Sequence, residues 1–359
     1  MAGEDEHGDE RGDENGDAAR RGGRRRGLLK AAGVALAGVL VLSAAGAGWA
    51  YWHLNRNIKS VDINSALGDN RPAKVVSTPS ASASASAAPL PSGALNILVL
   101  GSDSRSGEEN AALGGGNSSG ARSDTAMVVH IDEGRTEATV VSIPRDTLVT
   151  RPSCPTSSGG TTSVSYNAMF NSAYSVGGPV CAVKTVESMT DVRMDHVIEI
   201  DFSGFADLVD ALGGVTVTTD EDIDDDDSHL TLKAGTHHLD GTQALALART
   251  RHGIGDGSDL GRIGLQQKLV KALLEQISST SLLTSPTKLY KVADAVTGSL
   301  TTDTGLDSLG ELMKLGQSLK SLSSDEVKTV MMPVVTAPSN PNRVVADEPE
   351  ASELWASLK

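Results

Sequence analysis

The fold is decided by Asn96-Ile97-Leu98-Val99-Leu100, which runs directly into Gly101-Ser102-Asp103-Ser104-Arg105. A continuous apolar run of this length is typical of a strand that is buried on both faces, as in the central sheet of an α/β protein. Because the run ends in small and polar residues, Asp103 falls at the carboxyl end of the strand. Functional sites of α/β sheets are commonly built at such ends.

Two more apolar runs predict strands at 126–131 and 138–143. Asp124 comes just before the first of them, and Arg145 comes just after the second, behind Pro144. A further strand is predicted at 197–200, followed by an amphipathic helix at 202–212. Three strand ends therefore present Asp103, Asp124 and Arg145.

A second polar concentration lies far downstream, between Leu247 and Gln267. It contains Arg249, Arg251 and Arg262, and arginine binds phosphate oxygens through two parallel hydrogen bonds. If a helix begins near Asp259, then Asp259, Arg262 and Gln266 project from one face of it. The pattern favours a di- or polyphosphate site, and a salt-bridged surface helix preceded by a glycine-rich loop is the alternative.

The first ninety residues predict export. Residues 1–30, an acidic and glycine-rich segment that closes with several arginines, are expected to be a disordered cytoplasmic tail. Residues 31–52 have the length and apolarity of a transmembrane helix, and the arginines before it place the N-terminus in the cytoplasm. Alternatives are a twin-arginine export signal at Arg25-Arg26 and a signal-peptidase site at 45–47.

The rest of the chain is expected outside the cell. Residues 53–93 are polar or rich in Ser, Ala and Pro, which predicts a linker. Residues 94–359 are expected to form one extracellular domain. In an exported domain, Cys154 and Cys181 favour a disulfide over a metal site.

The net charge argues against nucleic-acid binding, and the spacing of the acidic residues argues against an EF-hand calcium site. The chain has 359 residues and a formal net charge of −15, which argues against broad nucleic-acid binding. The acidic run Asp222 to Asp227 lacks the glycine and the distal glutamate of an EF-hand, so a solvated loop is predicted there. The segments 230–232 and 237–239 are expected to pair with each other in a small hairpin.

Several motifs, taken in order, resemble the LytR-CpsA-Psr (LCP) family. They are Asn96 to Arg105, Arg122-Ser123-Asp124-Thr125, Ser142-Ile143-Pro144-Arg145-Asp146 and the block from Arg249 to Gln267. The resemblance covers about Ala94 to Ser279. A long glycine-rich insertion between Asp103 and Arg122 departs from the family pattern.

The resemblance implies an α-β-α layered domain with a mixed central sheet. It also implies a phosphotransferase that moves an anionic glycopolymer, such as a teichoic acid, from an undecaprenyl-diphosphate carrier onto peptidoglycan. The acceptor implied is the C6 hydroxyl of N-acetylmuramic acid. The alternatives are a polyprenyl-pyrophosphate hydrolase and a non-enzymatic, membrane-bound regulator of the cell envelope.

Residue roles follow from the same resemblance. Asp103 and Asp124 are implied to hold Mg²⁺, with Mn²⁺ as an alternative metal. Catalytic roles fall to Arg145, Asp124 and Asp259, of which Asp259 orients arginines or deprotonates the acceptor. The residues implied to surround the pyrophosphate are Arg122, Arg145, Arg249, Arg251, Arg262 and Gln266.

Overall fold

A computed structural model of the chain describes residues 45–74, 93–102, 123–156, 159–250, 259–279 and 285–359. The chain divides into two compact units, Met1–His53 and Leu54–Lys359. In the first unit, residues 45–53 are helical. The second unit contains the sheets and helices that follow.

Fifteen short strands are present in the described part of the second unit: β1 Lys59–Val61, β2 Leu95–Ser102, β3 Ser123–Ile131, β4 Ala138–Ile143, β5 Leu148–Arg151, β6 Ser165–Met169, β7 His196–Asp201, β8 Val215–Thr219, β9 Ile223–Asp225, β10 Leu230–Leu232, β11 Gly235–Leu239, β12 Leu300–Asp303, β13 Val327–Met331, β14 Val334–Ala337 and β15 Asn340–Ala346. Seven of them form the central sheet in the order β1-β12-β7-β2-β3-β4-β13. The other eight pair two by two.

The central sheet is mixed, as predicted. β2 is antiparallel to β3 and parallel to β7, while β3 is antiparallel to β4. The carboxyl ends of β2, β4 and β7 therefore meet the amino end of β3 at one edge of the sheet. β2 is buried along most of its length, as its apolar run predicts.

The helices labelled here are α1 Ile63–Leu67, α2 Asn171–Thr190, α3 Phe202–Leu212, α4 Gly241–Arg249, α5 Asp259–Ser279, α6 Pro286–Ser299, α7 Leu309–Ser318 and α8 Glu350–Ala356. The predicted helix 202–212 is confirmed as α3. Asp201 caps its start by accepting a hydrogen bond from the backbone N–H of Gly204, and Gly213 ends it in a left-handed conformation with φ 90°.

Helices cover both faces of the sheet. On one face, Val183 of α2 and Trp355 of α8 pack with Leu98 and Val128 in the main core. On the other face, Leu315 of α7 packs on a smaller core that contains Ile97. A third apolar cluster joins α3, α4, α5 and the strands β8 to β11 beside the sheet. This third cluster positions the helices that carry the downstream arginines.

The predicted linker is partly wrong. Residues 59–61 form β1, the edge strand of the central sheet, which pairs with β12. Arg71 is fixed by Glu187, whose carboxylate accepts from its Nη2 at 2.6 Å, and by the carbonyl of Met194 at 2.7 Å. The polar composition of this segment concealed its role because its buried contacts are ionic as well as apolar. Residues 75–92 lie outside the described part of the chain.

The predicted pairing of segments 230–232 and 237–239 in a small hairpin is also wrong. β10 pairs with β9 and β11 pairs with β8, so the two predicted partners belong to different sheets. The acidic run is not wholly a solvated loop either, since Ile223–Asp225 forms β9 and Asp225 is only 2% exposed. Helix α2 begins at Asn171, after β6, and continues to Thr190.

The predicted tail, 1–30, and most of the predicted transmembrane helix, 31–52, lie outside the described residues. Within the described ranges, no helix is both long enough and apolar enough to span a bilayer. Cys154 and Cys181 are joined by a disulfide with their Cα atoms 5.3 Å apart. The bond links the loop after β5 to the middle of α2.

Candidate phosphate-binding site

A cavity of about 180 Å³ lies beside the edge of the sheet where β2, β4 and β7 end. Its lining comes from the sheet, from helices α3, α4 and α5, and from the β9–β10 turn. The lining residues are Thr125, Phe202, Asp227, Ser228, Leu245, Ala248, Arg249, Arg262 and Gln266. The cavity therefore combines two cationic side chains with hydroxyl, amide and carboxylate groups.

Helix α4 delivers Arg249 as its last residue. Asp240 starts this helix with a capping box, in which its side chain accepts from the N–H of Gln243 while the Gln243 side chain accepts from the N–H of Asp240. The next residue, Gly241, touches α3 so closely that a Cβ would lie 2.1 Å from the carbonyl oxygen of Ala206. Glycine is thus required for α4 to pack on α3. The guanidinium of Arg249 lies 5.1 Å from the ring centroid of Phe202, the first residue of α3.

Helix α5 supplies Arg262 and Gln266 from one face, one turn apart, as predicted. Both are buried, with 3% and 6% of their surfaces exposed. Gln266 Nε2 donates to Thr125 Oγ1 at 2.9 Å and to the carbonyl of Ala248 at 3.0 Å. This one amide therefore joins β3 to α4 across the cavity. The buried apolar residues of α5 include Leu265, Leu269 and Ala272, while Ile277 near its end is 44% exposed.

Arg145 follows β4 at the same edge of the sheet, but it is not among the residues that line the cavity. Its Nε lies 3.7 Å from Asp146 Oδ2, and Asp146 Oδ1 lies 3.5 Å from Arg343 Nη1. The side chain of Arg145 is 16% exposed. Arg145 thus lies beyond the end of β4, at the same edge of the sheet as the cavity but outside its lining.

The residue before Asp103 is fixed by a buried polar network. Ser102, which is fully buried, lies 3.0 Å from the hydroxyl of Tyr174, and that hydroxyl donates to Glu199 Oε1. Burial raises the pKa of Glu199 above its ordinary value, although the hydrogen bonds from Tyr174 and Ser102 oppose the shift. A register shift between Gly101 and Ser102 marks a bulge at this strand end.

Several predicted site residues lie outside the described part of the chain. They are Asp103, Arg122 and Arg251, and only the backbones of Asp124 and Asp259 are described. Among the described side chains, no group of three or more His, Cys, Asp or Glu is arranged to hold a metal ion. Asp124 is in β3, next to the end of β2 that leads into Asp103, and paired carboxylates at adjoining strand ends suit the oxygen-ligand preference of Mg²⁺. The metal pair stays a prediction, because Asp103 lies outside the described residues.

The sequence did not predict the roles of Phe202, Asp227 and Ser228 in this cavity. Phe202 was visible only as the first residue of a helix. Asp227 ended an acidic run that matched no metal motif. Neither signal indicates a position in the cavity lining. For Asp227, that position depends on how the β9–β10 turn packs against α4.

A profile of the LytR_cpsA_psr family matches residues 50–359. The chain belongs to the LytR_cpsA_psr family. This LytR_cpsA_psr chain is 33% identical over 272 residues to the probable cell wall biosynthesis protein LcpB of Corynebacterium glutamicum, covering 74% of the chain and 61% of that protein. It is 31% identical over 238 residues to the polyisoprenyl-teichoic acid–peptidoglycan teichoic acid transferase TagV of Bacillus subtilis, covering 65% of the chain and 57% of that protein. The LytR_cpsA_psr chain thus spans less than two thirds of the length of either relative.

Solved structures agree with the fold. Bacillus subtilis TagV has a TM-score of 0.56 at 27% identity, with 75% of this LytR_cpsA_psr chain and 96% of that chain covered. A structure of TagT bound to LI-WTA has a TM-score of 0.54 at 27% identity, with 74% and 89% covered. The mixed central sheet and its helices are therefore shared with these proteins.

Proposed function

We propose that this chain is a phosphotransferase that moves an anionic glycopolymer from an undecaprenyl-diphosphate carrier onto peptidoglycan, at the C6 hydroxyl of N-acetylmuramic acid. The observation that carries the proposal is the cavity in which Arg249, Arg262 and Gln266 converge beside the strand ends. The names of the transferase relatives support the same class of donor and acceptor.

The residues would act mainly by binding and by stabilising charge. In the transfer, the acceptor oxygen forms a bond to the phosphorus that carries the glycopolymer, and the bond from that phosphorus to the bridging oxygen breaks. Undecaprenyl phosphate leaves with the bridging oxygen. Arg249 and Arg262 would bind the oxygens on which negative charge accumulates, and Arg145, Arg122 and Arg251 would complete the set.

Gln266 would hold the two walls of the cavity at a fixed separation, since its amide bonds to both. Asp103 and Asp124 would hold Mg²⁺, which neutralises charge on a diphosphate when bound. Phosphoryl transfer requires positioning and charge neutralisation rather than covalent participation of the protein. The arginine and glutamine side chains that line the cavity are suited to that requirement.

The test uses the full chain in detergent or vesicles, with a synthetic polyprenyl-diphosphate saccharide and a peptidoglycan fragment. We expect a product whose mass equals the fragment plus the phosphosaccharide, formed in a Mg²⁺-dependent reaction. Release of the phosphosaccharide without attachment would identify a hydrolase instead. If the donor neither bound nor reacted, the regulatory alternative would gain support, in line with the name of a relative, biofilm regulatory protein A of Streptococcus mutans.

A further inference from the structure

The hairpin formed by β14 and β15 brings a further arginine to the edge of the sheet where the cavity lies. β13 is parallel to β4, so its carboxyl end is at that same edge, and β14 begins three residues after β13 ends. Thr147, shortly after β4, forms a parallel bridge with Val344 of β15. Arg343, the neighbour of Val344, therefore lies beside the segment that carries Arg145.

Asp146 lies between Arg145 and Arg343. Its Oδ2 is 3.7 Å from Arg145 Nε, and its Oδ1 is 3.5 Å from Arg343 Nη1. The carboxylate is thus shared between two guanidinium groups. Its contact with Arg343 is made through one nitrogen and is longer than a strong charge-assisted hydrogen bond.

The paired donors of Arg343 are open. Its Nη1 donates to the carbonyl of Asn342 at 2.9 Å, and the contact with Asp146 involves the same nitrogen. Within the described part of the chain, no group contacts its Nε or its Nη2. These two atoms form the edge of a guanidinium that binds a phosphate or a carboxylate through two parallel hydrogen bonds. A ligand can reach this side chain, since 31% of it is exposed.

The fold does not account for Arg343. An exposed ion pair of this separation contributes little to stability. Apolar contacts hold the hairpin instead, because Val334 and Ala346 pack against the main core. The bridge between Thr147 and Val344 fixes it to the segment after β4. Loss of the Arg343 side chain should therefore leave the hairpin in place.

The arginines extend along the sheet edge over more than the length of one diphosphate. Arg249 lies over the ring of Phe202, directly after β7, whereas Arg145 follows β4. These two strands are three spacings apart in the sheet, which is about 14 Å. Arg343, through its contact with Asp146, adds to the Arg145 end of this row. A diphosphate has only one oxygen between its two phosphorus atoms and is shorter than the row, whereas a polymer with further anionic groups matches it.

We propose that Arg343 binds an anionic group of the donor glycopolymer, a phosphate or a carboxylate, while the diphosphate occupies the cavity. The assignment rests on the proposed transferase function and deepens it, because it makes Arg343 a residue that selects anionic polymers over neutral ones. Nε and Nη2 of Arg343 donate to the anionic group. Asp146 orients the guanidinium by its contact with Nη1.

β13 provides a matched control. Lys328 is also exposed and also pairs with a carboxylate, that of Glu137, at 3.8 Å. It lies opposite Thr139, near the start of β4, and thus at the other end of that strand from Arg145. Lys328→Ala and Arg343→Ala each remove one exposed, paired cation. A general loss of positive charge affects both variants alike, whereas a polymer subsite affects only Arg343→Ala.

The experiment compares the full chain with its Arg343→Ala, Arg343→Lys and Lys328→Ala variants. The donors are two polyprenyl-diphosphate saccharides of equal length, one with an additional phosphodiester group and one that is neutral beyond the diphosphate. Equilibrium binding of each donor and transfer to a peptidoglycan fragment are measured separately. Arg343→Ala is expected to weaken binding of the charged donor and to raise its KM about tenfold, because charge-assisted hydrogen bonds contribute about that factor. Binding of the neutral donor and the acceptor KM should change by less than about twofold.

The other variants refine the result. Arg343→Lys should lose most of the preference for the charged donor, since an ammonium group keeps the charge without the paired donors. Lys328→Ala should keep the whole preference. All three variants should unfold at the temperature of the unmodified chain, and the preference itself should shrink at high salt.

Three outcomes would overturn the assignment. An equal loss for both donors would show that Arg343 acts on Arg145 through Asp146. Unchanged affinity of Arg343→Ala for the charged donor would remove Arg343 from polymer binding. A change confined to the acceptor KM would place a carboxylate of the acceptor at Arg343. If the unmodified chain released saccharide to water and attached none, the transferase function would fail, while donor binding would still decide whether Arg343 selects anionic polymers.

Discussion

Two buried arginines, Arg71 and Arg262, lie toward opposite ends of the strands of the central sheet and differ in their surroundings. The guanidinium of Arg71 is bound by Glu187, with both side chains no more than 3% exposed. Arg262, also 3% exposed, lines a cavity of about 180 Å³ together with Arg249 and Gln266. Burial and positive charge are thus common to both, and only the cavity separates a residue that stabilises the fold from one that can bind a ligand.

The comparison extends to buried carboxylates. Asp303 lies toward the same end of the central sheet as Arg71. It is buried, and burial alone would raise its pKa. Its hydrogen bond and ion pair with His196, together with the N–H groups of Val197 and Gly305, outweigh burial and hold that pKa below its ordinary value. Glu199, toward the cavity end of β7, has a raised pKa because burial prevails there. Burial is therefore outweighed at Asp303 and prevails at Glu199.

The largest effect is expected from breaking the Arg71 pair. Glu187→Ala leaves a buried guanidinium without its carboxylate, which should lower the free energy of unfolding by about 3–5 kcal/mol. Urea unfolding measures this loss. Transfer per folded molecule should be unchanged. Asp220→Ala, which removes an exposed ion pair with Lys268, is the control and should cost far less. Equal losses in the two variants would contradict the comparison.

The next effect is expected in the cavity. Arg249→Ala removes a donor to the developing phosphate charge, so transfer should fall about 100- to 1,000-fold. Thermal unfolding should shift little, because the contact of Arg249 with Phe202 is partly solvated. Arg193→Ala, at the Arg71 end, is the matched control and should retain full transfer. A comparable loss of transfer in both variants would show that cationic charge matters without regard to the cavity.

Removal of the disulfide should have an intermediate effect on stability alone. The Cys154–Cys181 bond closes a loop with a sequence separation of 27, and its loss in Cys154→Ala/Cys181→Ala should lower stability by about 3 kcal/mol. Denaturant unfolding of the double variant tests this. Because α2 carries Tyr174 near one end and Glu187 near the other, a change in Mg²⁺ dependence would show that the two regions are coupled through this helix.

The smallest effect is expected from Glu199→Gln. A carboxyl whose pKa is raised on folding binds more protons in the folded state, so it contributes stability at low pH that is lost as pH rises from about 4.3 through the raised value. The variant should therefore gain Tm relative to the unmodified chain at pH 7 more than at pH 4. Asp303→Asn should show the reverse dependence, since a lowered pKa contributes stability that is lost on acidification. Parallel Tm profiles for the two variants would contradict the assigned shifts.

The sequence by itself determined strands at 96–100, 126–131 and 138–143, because continuous apolar runs have few alternatives to a buried strand. The structure extends the first two to Leu95–Ser102 and Ser123–Ile131, so that Asp124 lies within its strand and not before it. It also determined that Arg262 and Gln266 share one helix face, which follows from helical periodicity alone. Only the tertiary structure decided that residues 59–61 join the sheet, since that contact depends on a strand 242 residues later. The same holds for Asp227: local sequence indicated an acidic loop, and packing of β9 and β10 against α4 made it part of the cavity lining. Local patterns fix elements, whereas a site requires the distances between elements, which arise from packing.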